Sequence, residues 1–320
     1  MSRFMSRWMT CARYTASLLA LGLFTMLSQP LLAQTSTNQI ATLRWYSAIT
    51  SLSFSVPGLP YGVAFDGANL WVAGQYGTLT KMRANDGQIL MTVSLPGGAN
   101  GVAFDGANLW VTSYPSNTVA KVRASDGTVL GNFTAGNGSS GIAFDGANLW
   151  VANSYDNTIS KLRASDGVNL GNFAVGTAPV SVVFDGTSVW VSNYTSSSVM
   201  KIHPRGRILA TYTVPNPEGL VFDGANIWAA NYIANTVTKI QASTGVILGT
   251  YAVGTGPFGL VFDGANIWVA NNTSNYVSKL RASDGVNLAN ISTQTGPLCL
   301  TFDGDNVWVT NLNSASISKM

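Results

Sequence analysis

Hydrophobic and polar residues alternate over short runs from about residue 44 to the end of the chain, and turn-forming residues separate the runs. The segment from residue 141 shows the pattern clearly. It predicts strands over 141–145, 149–153, 158–163 and 168–175. Asp-Gly pairs mark tight turns after the first and third of these strands. The pattern therefore predicts a unit of four short antiparallel strands.

This unit recurs along the chain at intervals of 38 to 40 residues. A Phe-Asp-Gly motif marks each copy, and a Leu-Trp, Ile-Trp or Val-Trp pair follows five residues after its Phe. The second strand is apolar on both faces, so each unit needs a neighbour on both sides. A repeat of about 40 residues with four strands predicts an all-β fold, a seven-bladed β-propeller of antiparallel blades. The motifs begin at Phe65, Phe104, Phe144, Phe184, Phe222, Phe262 and Phe302.

The two chain ends predict how the ring closes. The last copy stops at Met320, inside its third strand, so its fourth strand is missing. Residues 44–60 have the spacing of residues 163–179, which places Phe54 on Phe173 and Val56 on Val175. We predict that this N-terminal strand completes the last blade and removes a free sheet edge. The propeller then spans residues 44–320.

The first 33 residues resemble a secretory signal, with Arg3, Arg7 and Arg13 ahead of an apolar run over 16–27. That run is too short to span a bilayer, and cleavage is expected near Ala33, with a linker over 34–43. An uncleaved anchor is the alternative. The interpretation predicts export to the periplasm, the cell surface or the medium.

Removing the signal changes the charge and the cysteine content. The chain has 17 Lys and Arg against 14 Asp and Glu, and the loss of three arginines leaves a neutral protein. No basic footprint for nucleic acid remains. Cys299 becomes the single cysteine, which excludes an intramolecular disulfide and a thiolate metal cluster. No later segment is long enough to span a membrane, and we expect a monomer.

Two sets of repeated side chains predict structure, not a site. The aspartates of the Phe-Asp-Gly motifs sit in tight turns, where a carboxylate satisfies turn amides, although a metal ring is the tempting alternative. The same holds for the Ser-Asp-Gly turns at Asp126, Asp166 and Asp284. The tryptophans are expected to pack between blades, with a carbohydrate platform as the alternative. They are Trp71, Trp110, Trp150, Trp190, Trp228, Trp268 and Trp308.

Small residues occupy the start of the first strand in every copy, where seven strands would crowd the axis. Cys299 is then a small filler beside the channel, without an activating cation. The residues are Gly62, Gly101, Gly141, Ser181, Gly219, Gly259 and Cys299.

The segments 257–271 and 277–280 resemble the repeat of the secreted bacterial propellers of the YVTN and NHL types. The resemblance covers about residues 44 to 320. The family includes binding scaffolds and, as enzymatic relatives, the streptogramin lyases. It implies that the loops joining strand four to strand one, and strand two to strand three, share one face. That face and the axial channel usually hold the ligand site.

A catalytic pair is not expected. His203 is the single histidine and Glu218 the single glutamate, and together with a metal they would suit lyase chemistry. The repeat places His203 at the turn between strands three and four, however, and Glu218 at the channel end. The two lie on opposite faces in this interpretation, so we predict no catalytic residue, no metal site and no cofactor.

One rim varies between the copies and is the predicted ligand site. Beside the axis the equivalent positions are Tyr61, Asn100, Ser140, Val180, Glu218, Phe258 and Leu298. Around them, near the loops after strand two, stand Tyr76, Tyr114, Tyr155, Tyr194 and Tyr232, with Asn153, Asn193, Asn231, Asn271 and Asn311. Aromatic and amide groups suit a glycan, a peptide, a small molecule or a protein, although ordinary loop composition also accounts for them. The predicted ligand-binding residues are Tyr61, Tyr114, Tyr155, Tyr194, Glu218, Tyr232 and Phe258.

Three functions are consistent with these residues. The first is a non-catalytic binding or interaction module with its ligand at the channel mouth. The second is a metal-assisted lyase of the streptogramin-lyase type, centred on Glu218. The third is a structural cell-surface repeat protein, which the near-identical copies at 163–170 and 281–288 would suit.

Overall fold

The computed structural model describes residues 51–114 and 116–320, which form 28 strands and one short 3-10 helix at Leu312–Ser314. The described chain begins with β1 (Leu52–Ser55). Blades 1 and 2 contain β2 (Pro60–Phe65), β3 (Asn69–Gly74), β4 (Thr78–Arg83), β5 (Ile89–Ser94), β6 (Val102–Phe104), β7 (Asn108–Ser113), β8 (Thr118–Arg123) and β9 (Val129–Thr134). Blades 3 and 4 contain β10 (Ser139–Phe144), β11 (Asn148–Asn153), β12 (Thr158–Arg163), β13 (Asn169–Ala174), β14 (Pro179–Phe184), β15 (Val189–Asn193), β16 (Ser198–Ile202) and β17 (Ile208–Thr213). Blades 5 and 6 contain β18 (Pro217–Phe222), β19 (Asn226–Asn231), β20 (Thr236–Gln241), β21 (Ile247–Ala252), β22 (Pro257–Phe262), β23 (Asn266–Asn271), β24 (Tyr276–Arg281) and β25 (Asn287–Ser292). Blade 7 contains β26 (Pro297–Phe302), β27 (Val307–Asn311) and β28 (Ser316–Lys319).

These strands form seven four-stranded antiparallel sheets; six follow chain order from the axis outward, and in blade 7 the order is β26, β27, β28 and β1. The predicted seven-bladed β-propeller is confirmed. The predicted bounds agree with the observed strands to within a residue or two, because turn residues fix where each strand ends. In blade 3, for example, the third strand is Thr158–Arg163, as predicted.

Ring closure by the N-terminal strand is also confirmed. The strand β1 pairs antiparallel with β28, with Phe54 opposite Ile317. The Phe54 ring lies 5.7 Å from that of Trp308, as Phe173 lies 5.8 Å from Trp150 in blade 3. The main-chain N–H of Val56 donates to the Ala315 carbonyl at 3.0 Å. Both ends of the described chain therefore belong to one blade, and this sheet has the same four strands as the others.

A repeated hydrogen-bond unit shapes the turn between the first and second strands. In blade 3, Asp145 Oδ1 accepts main-chain N–H bonds from Ala147 and Asn148 at 2.9 and 2.6 Å. Its Oδ2 accepts the Trp150 Nε1–H at 2.8 Å. All seven repeat tryptophans donate in the same way, at 2.7–2.8 Å. The structural interpretation of these aspartates is confirmed, and each one joins a turn to a core side chain.

We expect acid to destabilise the protein through these aspartates. Burial alone would raise the pKa of Asp145, but the bonds from Trp150, Ala147 and Asn148 outweigh it and hold the pKa below the usual 3.8. The folded pKa is thus below the unfolded one, so this stabilisation is complete above the unfolded pKa and is lost as the pH falls through the folded pKa. Urea midpoints should decrease from pH 6 to pH 3.

A matched pair of variants assigns that decrease. Asp145→Asn removes one charged acceptor and should lower the free energy of unfolding at pH 6 by about 1–2 kcal/mol, with a shallower pH dependence. Asp305→Asn alters an exposed carboxylate in the equivalent turn of blade 7 and should match the unaltered protein. Equal urea midpoints at pH 6 and pH 3 in the unaltered protein would contradict the prediction.

The hydrophobic core lies between blades. Seven buried clusters each join one blade to the next. Trp110 of blade 2, for example, packs with Leu149, Val151 and Leu162 of blade 3. A lysine Nζ lies 4.5–5.2 Å from the ring centre of each repeat tryptophan, which adds a cation–π contact. The prediction that the tryptophans pack between blades is confirmed.

The first strands meet around the axis with almost no space between their backbones. A Cβ atom on Gly141 would lie 2.3 Å from the Val180 carbonyl oxygen, and one on Gly62 would lie 2.2 Å from that of Asn100. The Gly62 N–H also donates to this Asn100 oxygen at 3.0 Å. The expectation that small residues permit this approach is confirmed.

Three predicted features lie wholly or partly outside the described residues: the signal at 1–33, the linker at 34–43 and the start of the propeller at residue 44. Among the residues that are described, no helix has the length and apolar character needed to cross a membrane.

Candidate functional site

Two cavities follow the propeller axis. The channel cavity has a volume of about 240 Å³ and is lined by the small residues and the apolar side chains of the first strands. The mouth cavity, of about 500 Å³, opens above it, where these strands begin. It is lined by Tyr61, Gln75, Gly98, Ala99, Asn100, Tyr114, Ser140, Ser154, Val180, Glu218 and Phe258. Four of the seven predicted ligand-binding residues therefore line one cavity.

Bulges in the first strands carry the side chains at the mouth. The pairing of β18 with β19 changes register between Pro217 and Leu220, and Glu218 lies within this irregular segment. Tyr61 and Phe258 lie in the equivalent bulges of blades 1 and 6. A bulge bends its strand and redirects a side chain, and bulges are common beside functional sites. The local strand geometry thus places these variable residues at the channel mouth.

Glu218 is the one carboxylate that lines the mouth cavity. Its main chain is fixed by Ser192 of the preceding blade, whose Oγ–H donates to the Glu218 carbonyl oxygen at 2.6 Å. Among the described residues, the salt bridges join Arg to Asp and none of them includes Glu218. Burial raises the pKa of Glu218 to about 7. The carboxyl group is therefore partly protonated at neutral pH and lacks a salt-bridge partner among the described residues.

An aromatic row connects blades 4, 5, 6 and 1 beside this carboxylate. The rings of Tyr194 and Tyr232 lie 6.5 Å apart, those of Tyr232 and Phe258 6.4 Å, and those of Phe258 and Tyr61 6.1 Å. All three pairs are edge-to-face, a favourable arrangement for aromatic rings. Burial, and then the nearby charge of Glu218, raise the pKa of the Tyr194 hydroxyl. Tyr194 and Tyr232 do not line the mouth cavity, and they continue the aromatic row beyond Phe258.

The remaining predicted tyrosines form a separate pair on the other side of the mouth. The hydroxyls of Tyr114 and Tyr155 are hydrogen-bonded to each other, and their rings lie 5.3 Å apart. Tyr114 lines the cavity, whereas Tyr155 is 67% exposed and lies outside the lining. Tyr76 is 75% exposed and contributes nothing to the lining.

The five loop asparagines do not belong to the ligand face, and that part of the prediction was wrong. Each is the last residue of its second strand and is fully buried. Asn231 Nδ2, for example, donates to Thr238 Oγ1 at 2.8 Å within its own hairpin. At this strand end the main chain bends away from the facing strand, and the side-chain amide supplies hydrogen bonds across the turn. The residues concerned are Asn153, Asn193, Asn231, Asn271 and Asn311.

Cys299 and His203 are placed as expected from the repeat. Cys299 lines the channel cavity, where burial, and then the charge of Glu218, raise the pKa of its thiol to about 12. His203 follows β16 in the turn to β17, at the opposite end of the blades from Glu218, and its Nδ1 accepts the Arg205 N–H at 3.1 Å. Within residues 51–114 and 116–320, no three His, Cys, Asp or Glu side chains group as a metal site.

Sequence reasoning missed some members of this site. Gln75 and Ser154 follow the second strands and line the mouth cavity. The bulges were also not predicted, because a register change depends on how two strands pair. The one usable signal was the small residue that recurs at the start of each first strand, since glycine within a strand often marks a bulge or a close backbone approach.

Comparison with known structures supports the fold. The virginiamycin B lyase of Staphylococcus aureus has a TM-score of 0.73 and 19% identity, with 84% of this chain and 98% of that one covered. A streptogramin B lyase gives the same TM-score and identity, with 84% and 96% covered. Hydrazine synthase of Kuenenia stuttgartiensis has a TM-score of 0.74 and 18% identity, with 83% and 97% covered. At this identity the likeness shows a shared fold.

Comparison of the sequence gives the family. A search of curated proteins found no match for this chain. The family model described as outer membrane protein assembly factor BamB matches residues 42–288, which is most of the chain and includes the first five blades and nearly all of the sixth. The repeats that build the propeller are those that the family model describes, and the chain therefore belongs to the family of the outer membrane protein assembly factor BamB.

Proposed function

We propose that this protein is an exported β-propeller module that binds a ligand at its channel mouth without altering it chemically. The observation that carries the proposal is the mouth cavity, where Tyr61, Tyr114, Glu218 and Phe258 from four different blades converge. A concave site with aromatic walls and few polar groups is typical of ligand recognition. The described catalytic candidates do not converge there, since His203 lies at the other end of the blades.

The family supports an interaction role. Its model is named for an assembly factor of the outer membrane, and the name describes assembly and no reaction. That name and the signal-like segment at residues 1–33 both agree with export, and we propose the periplasm as the compartment. We further propose that cleavage near Ala33 leaves a linker over 34–43 and a monomeric propeller over 44–320. We also propose that its repeats are of the YVTN or NHL type.

The mouth fits several classes of polar organic ligand. Its volume of about 500 Å³ is in the range of small-molecule sites, and a glycan, a peptide segment or a loop of a partner protein fits equally. No cofactor is part of the proposal, and neither is nucleic acid. The aromatic row provides stacking surfaces, while Asn100, Ser140 and Gln75 provide hydrogen-bonding groups.

Binding arrays of glycans and peptides, probed with the full chain, test the proposal. Phe258→Ser places at this position the residue that blade 3 has naturally at Ser140, so the fold should be retained. We expect it to weaken binding of any array ligand at least tenfold. Tyr76→Ser, an exposed aromatic on the same face but outside the cavity, is the matched control. If a ligand binds both variants with the same affinity as it binds the unaltered protein, recognition lies outside the mouth cavity.

A lyase is the second candidate, and one observation favours it. With a pKa of about 7, Glu218 is suited to remove a proton at neutral pH. The solved lyases share the fold with this chain. Incubation with a streptogramin B antibiotic, with and without Mg²⁺, followed by chromatography of the antibiotic, decides between the two. Conversion that is lost in Glu218→Gln would establish the lyase; an unchanged antibiotic supports the binding module.

A further inference from the structure

The mouth face carries negative charge and no basic residue among the described ones. Its loops are those that lead into the first strands and those that follow the second strands, and they contain Asp156 and Glu218. Every described Lys, Arg and His lies in a third strand or in the turn that follows it. The lysines there contact the tryptophan rings, and four arginines pair with aspartates. The described basic residues are thus kept away from the mouth face, whose charged residues are Asp156 and Glu218.

Glu218 therefore has no positive partner within the described chain, although it lines a cavity and is surrounded by aromatic rings. The neighbouring titratable groups are the hydroxyls of Tyr61, Tyr114, Tyr194 and Tyr232 and the thiol of Cys299. None of them is a cation. A carboxylate removed from water without a counter-ion is costly, and a ligand that supplies the missing charge recovers that cost.

The aromatic row supplies the second half of a cation site. Phe258 contacts Tyr61 on one side and Tyr232 on the other, both edge-to-face, and Phe258 and Tyr61 line the cavity. The face of an aromatic ring attracts an ammonium group, and rings with a carboxylate form the usual recognition set for alkylated ammonium. Phe258 and Glu218 lie at the start of the first strands of adjacent blades, and both line the mouth cavity.

We infer that the mouth cavity binds an organic ammonium group, with Glu218 as its counter-ion and Phe258 and Tyr61 as its aromatic walls. This inference rests on the proposed binding function and specifies its ligand chemistry. The ammonium can belong to a free amine or to a lysine side chain of a peptide. Both present the same cation, and the cavity volume of about 500 Å³ accommodates either.

The charge of Glu218 gives this binding a pH dependence. Burial raises the pKa of its carboxyl group to about 7, and an ammonium binds the ionised form. Affinity should increase between pH 6 and pH 8, and binding at pH 6.5 should release a proton. Burial raises the pKa of Tyr61, Tyr114 and Tyr194 above 10 and that of Cys299 to about 12, and hydrogen bonds from Asn137 hold the pKa of Asp156 below 3.8, so none of these five groups titrates in this interval.

Calorimetric titration of the full chain with matched ligand pairs tests the inference. Choline is compared with 3,3-dimethylbutan-1-ol, which has the same shape without charge, and N-acetyl-lysine methylamide with its norleucine analogue. We expect at least one cation to bind tenfold more tightly than its neutral partner at pH 8. Tighter binding of choline would indicate a free organic ammonium compound as the ligand source, and tighter binding of the lysine derivative a peptide.

Variants assign the effect to the proposed groups. Glu218→Gln should reduce cation affinity at least tenfold at pH 8 and abolish its dependence on pH. Phe258→Leu should reduce it about fivefold and leave the pH dependence in place. Asp305→Asn, an exposed carboxylate at the other end of the blades, should bind as the unaltered protein does. Circular dichroism and thermal melting of each variant confirm that it is folded.

The outcomes separate this inference from the proposed function. Equal affinity for the cation and its neutral partner, or unchanged cation affinity in Glu218→Gln, overturns the ammonium site. If no cation binds but an array ligand does, and Phe258→Ser weakens that ligand, the inference fails and the binding module survives. If neither a cation nor an array ligand binds at the mouth, both fail.

Discussion

Replacing Gly141 with alanine is expected to lower the free energy of unfolding by about 2–3 kcal/mol, because the new Cβ has nowhere to go. It would lie 2.3 Å from the Val180 carbonyl oxygen and 2.9 Å from the Ser181 Cα, both main-chain atoms of the next blade. The backbones of two first strands would have to separate. Since these strands form a closed ring, a shift between blades 3 and 4 is resisted by all the others. Urea unfolding measures the loss.

A second glycine of the same sequence is the control. Gly131 also lies in a strand, but its added Cβ would meet only the ring of Phe133, at 3.0 Å. A side chain can move where a backbone cannot, so Gly131→Ala should be nearly neutral. It can even stabilise slightly by restricting the unfolded chain. Equal losses in the two variants would show that glycine flexibility, and not the crowded axis, determines the effect.

Truncating Phe54 to alanine is expected to cost about 3 kcal/mol and to loosen the closure of the ring. The Phe54 ring packs on Trp308 and belongs to the cluster between blades 7 and 1. The strand β1 is only four residues long and is paired on one side, to β28. Without its aromatic anchor this strand should detach and expose the edge of β28. Hydrogen exchange of the amides in Ser316–Lys319 should therefore become faster.

Phe173→Ala in blade 3 separates closure from packing. Phe173 occupies the same position and lies 5.8 Å from Trp150. Its strand follows β12 directly through a short turn, whereas no turn joins β1 to β28. We expect a similar loss of stability but little local change in amide exchange on β12. Faster exchange on both β12 and β28 would mean that the aromatic contact controls opening of the blade edge, and that the missing turn between β1 and β28 does not.

Most of the fold could be predicted because each repeat contains turn-forming residues at fixed positions. The Asp-Gly pair after Phe144 and the pair at Asp166 fix where strands end, and the spacing of about 40 residues fixes the number of blades. Closure was predictable from the alignment of Phe54 with Phe173. These features are local or periodic, so recognising them does not require knowing how the blades pack.

The candidate site was predicted only in part. The repeat placed Tyr61, Glu218 and Phe258 at equivalent positions, and they do line one cavity. It also grouped Asn193 and Asn231 with them, and these are buried in their own hairpins instead. Position along a strand was visible in the sequence, but the direction of a side chain at a strand end was not. That direction depends on bulges and on contacts with the neighbouring blade.

The sequence by itself determined the number of blades, the strand bounds, the pairing of the two ends and the separation of basic residues from the mouth face. Periodicity and turn chemistry encode these features within a single repeat, so no knowledge of distant contacts is needed. Only the tertiary structure decided that Glu218 lies in a cavity beside an aromatic row. The reason is that ring closure brings together residues such as Tyr61 and Phe258, nearly two hundred positions apart, and partly shields the carboxylate from water.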